Sequence, residues 1–154
     1  MIDMSKADSV NEIRNMLYKY CWLVDRGKFD EIGELFKYAD IAYEGEVTYK
    51  QDPEGFASSF RDGVKRFDDD NTPHTFHLVI DPMIEVDVEN GTATANHYTV
   101  VLQGYTGKID PHIIVMDYKY DKLAYMDGEW RFTYRDMCNR AVGDLSEHLV
   151  VDWG

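Results

Sequence analysis

Two residues far apart in this sequence, Asp25 and His77, have the types and settings that acid–base chemistry needs. The segment before Asp25 carries Val10, Ile13, Leu17, Cys21 and Val24, with Tyr20 beside them, at the i, i+3, i+4, i+7 spacing of an amphipathic helix. Asp25 extends the row made by Leu17 and Cys21, so its carboxylate points to the side that faces the core. A carboxylate there must find a partner or change its protonation. The other reading makes Asp25 a helix-end residue beside Gly27 that meets water. His77 follows Pro73-His74-Thr75-Phe76 and alternates with Leu78 and Ile80 in a strand-like run. A single strand histidine is commonly structural. Opposite a core-facing aspartate it becomes a candidate base, because Asp–His pairing sets the tautomer and basicity of the imidazole.

A second group of ionisable residues lies near the Asp127-Gly128 hairpin signal. With a two-residue loop, Leu123 faces Phe132, Asp121 faces Tyr134, Lys119 faces Asp136 and Asp117 faces Cys138. One strand face then holds Asp117, Lys119, Asp121, Trp130, Phe132, Tyr134, Cys138 and Arg140; the other holds Met116, Tyr118, Tyr120, Lys122, Thr133 and Arg135. Trp130 and Phe132 mark the first face as the inner one. That choice places Asp117, Lys119, Asp121 and Arg140 inside, where charges require mutual pairing or a water-lined cavity. If the second face is the core, the same charges are solvated. His97 shares a face with Thr99, Val101 and Gln103, and either borders the same cavity or packs. His74 falls at the loop mouth, and His112 and His148 lie at ends without a pattern. No metal-ligand spacing, Gly-rich phosphate loop, dinucleotide fingerprint or G-x-S-x-G occurs. The expectation is chemistry with no metal and no cofactor.

Three helices and a set of long strands must position these residues. The pattern predicts helix from about residues 9 to 24, a short helix over 30–36, and a strand hairpin over 41–49 turning at Glu44-Gly45. Asp52-Pro53 starts a third helix marked by Phe56, Phe60, Val64 and Phe67. From Thr75 the period changes to two: strands over 76–88, 92–105, 112–126 and 130–140, with turns at Asn90-Gly91 and Asp127-Gly128. Helices first and antiparallel strands after predict an α+β fold, a curved sheet wrapped round the helices in one domain spanning residues 1–154. The tail from Ala141 to Gly154 ends in Leu149, Val150, Val151 and Trp153 and is expected to pack over the pocket or a neighbouring subunit.

The composition, 44% hydrophobic and 29% charged over 154 residues, suits a globular domain with its own core. A net charge of −13 argues against nucleic acid or an anionic membrane as partner, since both are polyanions. Cys21 and Cys138 sit in apolar patterns and read as reduced core thiols. With no basic-then-apolar leader and no bilayer-length apolar run, the expected location is cytoplasmic.

The run Tyr20-Cys-Trp-Leu-Val-Asp25 through Phe36 resembles the opening of the SnoaL-like branch of the nuclear transport factor 2-like superfamily. Thr75-Phe76-His77, Asp121-Lys-Leu and Asp127-Gly128-Glu-Trp130-Arg-Phe follow in that family's order, so the resemblance covers nearly the whole chain. It is most similar to the group of scytalone dehydratase, bile-acid 7α-dehydratase and hexachlorocyclohexane dehydrochlorinase, the last through 39–49 and Pro53-Glu-Gly55. The resemblance implies a cystatin-like cone of curved antiparallel sheet, closed by helices around one deep pocket. It implies an Asp25–His77 catalytic dyad, with Tyr20 and Tyr43 as pocket tyrosines. There are departures. An aspartate of the bile-acid enzyme falls on Val101, a second catalytic histidine falls near Gln103, a pocket asparagine near Lys119, and the late pocket arginine matches Arg140 only within a residue.

The activity so implied is a cofactor-independent lyase, a dehydratase or other β-elimination enzyme, acting on a cyclic, mostly apolar small molecule. His77, oriented by Asp25, removes a carbon-bound proton beside a carbonyl. Tyr20, Tyr43 or Lys119 holds the carbonyl oxygen, and Asp121 or a water assists the leaving group. Gln103 and Arg140 complete the substrate-binding set. The alternatives are an isomerase or polyketide-type cyclase using the same dyad, and a binding protein without chemistry. An Asp25–His77 gap too wide for a hydrogen bond, with Asp117 to Asp121 in solvent, favours the last. Relatives also imply a homo-oligomer, a trimer ahead of a dimer, built through the outer face that carries Met116, Tyr118 and Tyr120.

Overall fold

Helix α1 (Lys6–Asp25) begins where Ser5 caps it, the serine oxygen accepting from the Asp8 amide at 3.1 Å. Its buried stripe, Ile13, Leu17, Tyr20, Cys21 and Val24, is the 3.6-period row read from the sequence. The helix stops at Gly27, whose φ of +67° lets its amide reach Val24 O at 3.0 Å while Lys28 N reaches Leu23 O at 2.8 Å. A side chain there would also meet the Asn71 carbonyl. Helix α2 (Phe29–Leu35) packs on α3 (Pro53–Gly63), which starts with Asp52 accepting from Gly55 N and Pro53 in the first turn. Phe67, expected on that third helix, lies four residues past its end.

Strands β1 (Asp40–Tyr43), β2 (Glu46–Lys50), β3 (Thr75–Asp87), β4 (Thr92–Tyr105), β5 (Ile109–Met126) and β6 (Glu129–Val142) form one sheet in the order β2-β1-β6-β5-β4-β3. The sheet is curved and unclosed, and the helices cover its inner face, with α1 lying along β3. It departs from a wholly antiparallel sheet at one pairing, since β1 runs parallel to β6. The aromatic core sits between the layers: Phe36 stacks on Phe132 at 4.5 Å and meets Tyr20 and Phe56 edge-on at 5.7 and 5.6 Å. The computed structural model describes residues 1–150; Val151 and Trp153 of the expected apolar tail lie outside the described residues. Within the described part of that tail, Leu149 bridges to Val64, Val150 N donates to Gly63 O, and Lys65 N donates to His148 O. Among the described residues no helix is long and apolar enough to cross a membrane.

Register corrects the expected strand faces. The hairpin pairs Leu123 with Phe132 as anticipated, but the next pair is Lys122 with Tyr134, so Thr133 is an extra residue on β6. Past that bulge every side chain changes face. Arg135 comes in, opposite Asp121; Tyr134 goes out; Lys119 faces Met137 rather than Asp136. A second irregularity, at Arg140, separates the pair Asp117–Asn139 from the pair Met116–Ala141. The inner charges Asp117, Lys119 and Asp121 are 6%, 3% and 0% exposed.

Candidate active site

Asp25 is the last residue of α1, and its carboxylate crosses to β3 instead of capping the helix. It accepts three hydrogen bonds: Oδ1 from the Thr75 hydroxyl at 2.8 Å and from His77 Nδ1 at 2.6 Å, and Oδ2 from the His77 backbone amide at 2.9 Å. Bonds to an ionised acceptor contribute about 1.5–3 kcal/mol each, so the carboxylate is held rigidly. Because Nδ1 donates to a carboxylate, the imidazole is the tautomer that leaves Nε2 with a free lone pair. Nε2 makes no hydrogen bond among the described residues. The histidine side chain is 8% exposed, and the Tyr20 ring stands edge-on to it at 6.3 Å.

Behind the dyad lies the buried charge cluster. Arg135 grips Asp121 through Nε to Oδ1 at 2.6 Å and Nη2 to Oδ2 at 2.9 Å, and His97 Nε2 reaches Oδ2 at 3.1 Å. Burial alone would raise the Asp121 carboxyl; the Arg135 charge, with the Arg135 and His97 hydrogen bonds, holds it below the usual carboxylate range. Lys119 donates to Asp117 Oδ2 at 2.8 Å, and burial pulls the lysine down against the pull of Asp117. The Arg135 guanidinium lies over the rings of Tyr20 and Phe36 at 4.6 and 4.8 Å. Burial pushes the Tyr20 phenol far above its ordinary value, against Arg135, so it stays a neutral donor. Burial also pushes the Cys21 thiol up to about 11, which makes it inert. Three buried polar atoms of this interior have no partner among the described residues: Asp117 Oδ1, Gln103 Oε1 and Arg135 Nη1.

The sequence-derived site residues divide accordingly. Asp25, His77 and Tyr20 stand together, and behind them Lys119 lies near Cys21 and Arg135 while Asp121 is held by Arg135 and His97. Tyr43, at the end of β1, is 38% exposed, yet burial of its phenol pushes it up to about 12. Gln103 is inside but serves as a tie: its amide donates to Pro73 O at 3.0 Å and Glu147 O at 2.9 Å. Arg140 does not belong to the interior. The bulge at Thr133 turns it to the outer face with Tyr134, Asp136 and Cys138, and there it is exposed and donates to the Tyr118 hydroxyl beside Glu44, Tyr120 and Cys138. The inner arginine is Arg135, which the sequence reading placed outside because Phe132-Thr-Tyr-Arg135 contains no glycine or proline to mark a bulge. His148, which no local pattern singles out, also has its Nδ1 buried.

This fold is the one shared by solved proteins described as nuclear transport factor 2-like with a cystatin-like fold. The sequence profile of the SnoaL-like domain matches residues 5–136, and the chain belongs to that family. A nuclear transport factor 2-like protein with a cystatin-like fold from Novosphingobium aromaticivorans superposes with a TM-score of 0.65 at 20% identity, over 86% of this chain and 82% of the other. A candidate scytalone dehydratase from the same organism gives 0.68 at 16% identity, over 90% and 88%. LinA gives 0.66 at 17% identity, over 92% of each chain. Identities this low establish the shared fold alone. No curated protein sequence matches the chain significantly.

Proposed function

We propose that the protein is a cofactor-independent lyase, a dehydratase or related β-elimination enzyme, acting on a cyclic, mostly apolar small molecule. The observation that carries this reading is the 2.6 Å hydrogen bond from His77 Nδ1 to Asp25, which leaves Nε2 free as a base in a largely buried setting. His77 takes a proton from the carbon beside a carbonyl, and the electron pair passes to the carbonyl oxygen before the β-substituent departs. Tyr20, kept neutral, and Lys119 and Tyr43 are the donors for that oxygen. Both Asp121 oxygens are occupied by Arg135 and His97, so Asp121 fixes the cluster, and Asp117 Oδ1 and Arg135 Nη1 remain for the leaving group. The likeness to a candidate scytalone dehydratase and to LinA supports elimination within a fold that also hosts other chemistries.

The test is turnover of cyclic β-hydroxyketones, read by mass. A product lighter by one water identifies elimination, and unchanged mass identifies isomerisation or cyclisation. His77→Ala is expected to slow the reaction by on the order of 10²–10⁴; undiminished turnover by that variant would refute the mechanism. The same reading includes self-association, a trimer ahead of a dimer. Phe76, Leu78, Tyr98, Met116 and Tyr118 are exposed on the outer sheet face, a contiguous apolar surface of the kind that marks contact sites. Light scattering on the purified protein measures it, and a monomer at micromolar concentration rules it out.

A further inference from the structure

Outside the dyad, the buried ring of the tail histidine, His148, has no part in the chemistry above. A chain of contacts leads to it from the dyad. Thr75, which donates to Asp25, pairs across the sheet with Gln103. The Gln103 amide holds Glu147 O at 2.9 Å, and the next residue is His148. Four further bonds fix the strap that carries it: His148 N to Leu145 O at 2.9 Å, Lys65 N to His148 O at 2.8 Å, Val150 N to Gly63 O at 2.8 Å, and Lys65 Nζ to Ser146 O at 2.5 Å. The strap therefore has little freedom, and its backbone is tied on both sides of His148.

The ring itself is incompletely used. His148 Nδ1 is buried and has no hydrogen-bond partner among the described residues. A buried ring nitrogen left in this state is unfavourable unless something it is meant to meet satisfies it. Burial, with the nearby His77 and against Asp25, pulls the imidazole down to about 4, so the ring is uncharged at neutral pH. His77 and Asp25 thus both lie close enough to bear on its charge.

We propose that His148 is a third substrate-contacting residue, whose Nδ1–H donates a hydrogen bond to the substrate oxygen that becomes an enolate when His77 takes the carbon proton. The assignment rests on the elimination reading above. No proton leaves His148: the carbon–hydrogen electron pair moves to the oxygen, the proton goes to His77 Nε2, and the neutral imidazole stabilises the new charge. A neutral donor suits this task, because it cannot protonate the oxygen outright and compete with loss of the β-substituent. It also explains how a residue from the end of the chain completes a site built by α1 and β3.

The experiment uses a cyclic hydroxytetralone with its hydroxyl β to the ketone; dehydration yields a fluorescent naphthol. Three variants separate the roles. His148→Ala is expected to lower kcat by on the order of 10²-fold with KM little changed, as for loss of a transition-state donor. His148→Asn, whose amide nitrogen overlays Nδ1, is expected to restore part of the rate, and His148→Gln, which overlays Nε2, is not. A His148→Ala enzyme as fast as wild type overturns the proposal, and so does a loss that His148→Asn fails to relieve while the melting temperature falls. In either case a slow His77→Ala enzyme leaves the elimination reading standing. If wild type and His77→Ala both fail to dehydrate the probe, the elimination reading is at fault instead. Nitrogen NMR of labelled histidine during a naphthol titration then decides the contact: a shifted His148 Nδ1 signal supports it, and an unmoved signal overturns it.

Discussion

Replacing Asp25 by Asn tests the dyad at the level of single hydrogen atoms. The carboxylate receives three donors, two on Oδ1 and one on Oδ2. Asparagine offers one acceptor oxygen and one NH2, so one of its two positions must now donate. If the NH2 takes the Oδ2 place, it confronts the His77 backbone N–H, which cannot reverse. If it takes the Oδ1 place, Thr75 can rotate to accept, but His77 must give up its Nδ1 hydrogen and move it to Nε2. That second arrangement is the less unfavourable, and it destroys the free lone pair that makes His77 a base. Stability should fall by about 2 kcal/mol, from three charge-assisted bonds becoming neutral ones. For a chain of this size that is roughly 4–8 °C in melting temperature. Turnover should fall by on the order of 10⁴, as a wrong tautomer does in a serine protease triad. Nitrogen NMR of the histidine rings reads the tautomer, thermal denaturation the stability, and dehydration of the hydroxytetralone the activity. The reasoning is refuted if the Asp25→Asn variant keeps His77 protonated on Nδ1, or if it retains activity with the hydrogen moved to Nε2.

Three further outcomes follow from the packing. Arg135→Met should destabilise by about 3–5 kcal/mol, because Asp121 would be left charged and fully buried. Adding Asp121→Leu should recover much of that loss, and a urea midpoint for the double variant no higher than for Arg135→Met contradicts it. His148 titrates at about 4 folded against 6.5 in its ordinary state, so between these values the unfolded chain binds the extra proton. Stability therefore declines as pH falls from 6.5 toward 4, by about 3 kcal/mol at most. Denaturant midpoints across that window should slope less for His148→Phe; an equal slope assigns the acid sensitivity elsewhere. Gly27→Ala should lower stability by about 1–2 kcal/mol from left-handed backbone alone, with more from the Asn71 carbonyl 2.8 Å from the added carbon. A denaturation curve indistinguishable from wild type would contradict this.

Where local signals were strong, the sequence and the structure agree. The Leu17–Cys21–Asp25 row, the Asn90-Gly91 and Asp127-Gly128 turns and the Asp52-Pro53 start are all short-range signals, and each element lies where they place it, β4 over 92–105 included. The dyad was legible for the same reason: one helical period and one strand period aim both residues at the core. The inner arginine was not, because its position depends on counting alternation through Thr133. One inserted residue there reverses every later assignment, and a bulge without glycine has no marker in the sequence. His148 was illegible for a different reason. Its position is set by Gln103 and Lys65, more than forty and eighty residues away, and no local pattern reports such a contact.

The parallel pairing of β1 with β6 has a consequence for how the chain is made. Asp40 meets Tyr134, so the hairpin of β1 and β2 can dock only after nearly all the chain has left the ribosome. Until then Phe36 lacks the Phe132 ring on which it stacks. Newly made chains thus carry Asp25 on an unsheltered helix while the strand bearing His77 is still being synthesised. Strand β6 both joins the β1–β2 hairpin to the rest of the sheet and brings Phe132 onto Phe36, which makes the order of synthesis part of how this interior is assembled.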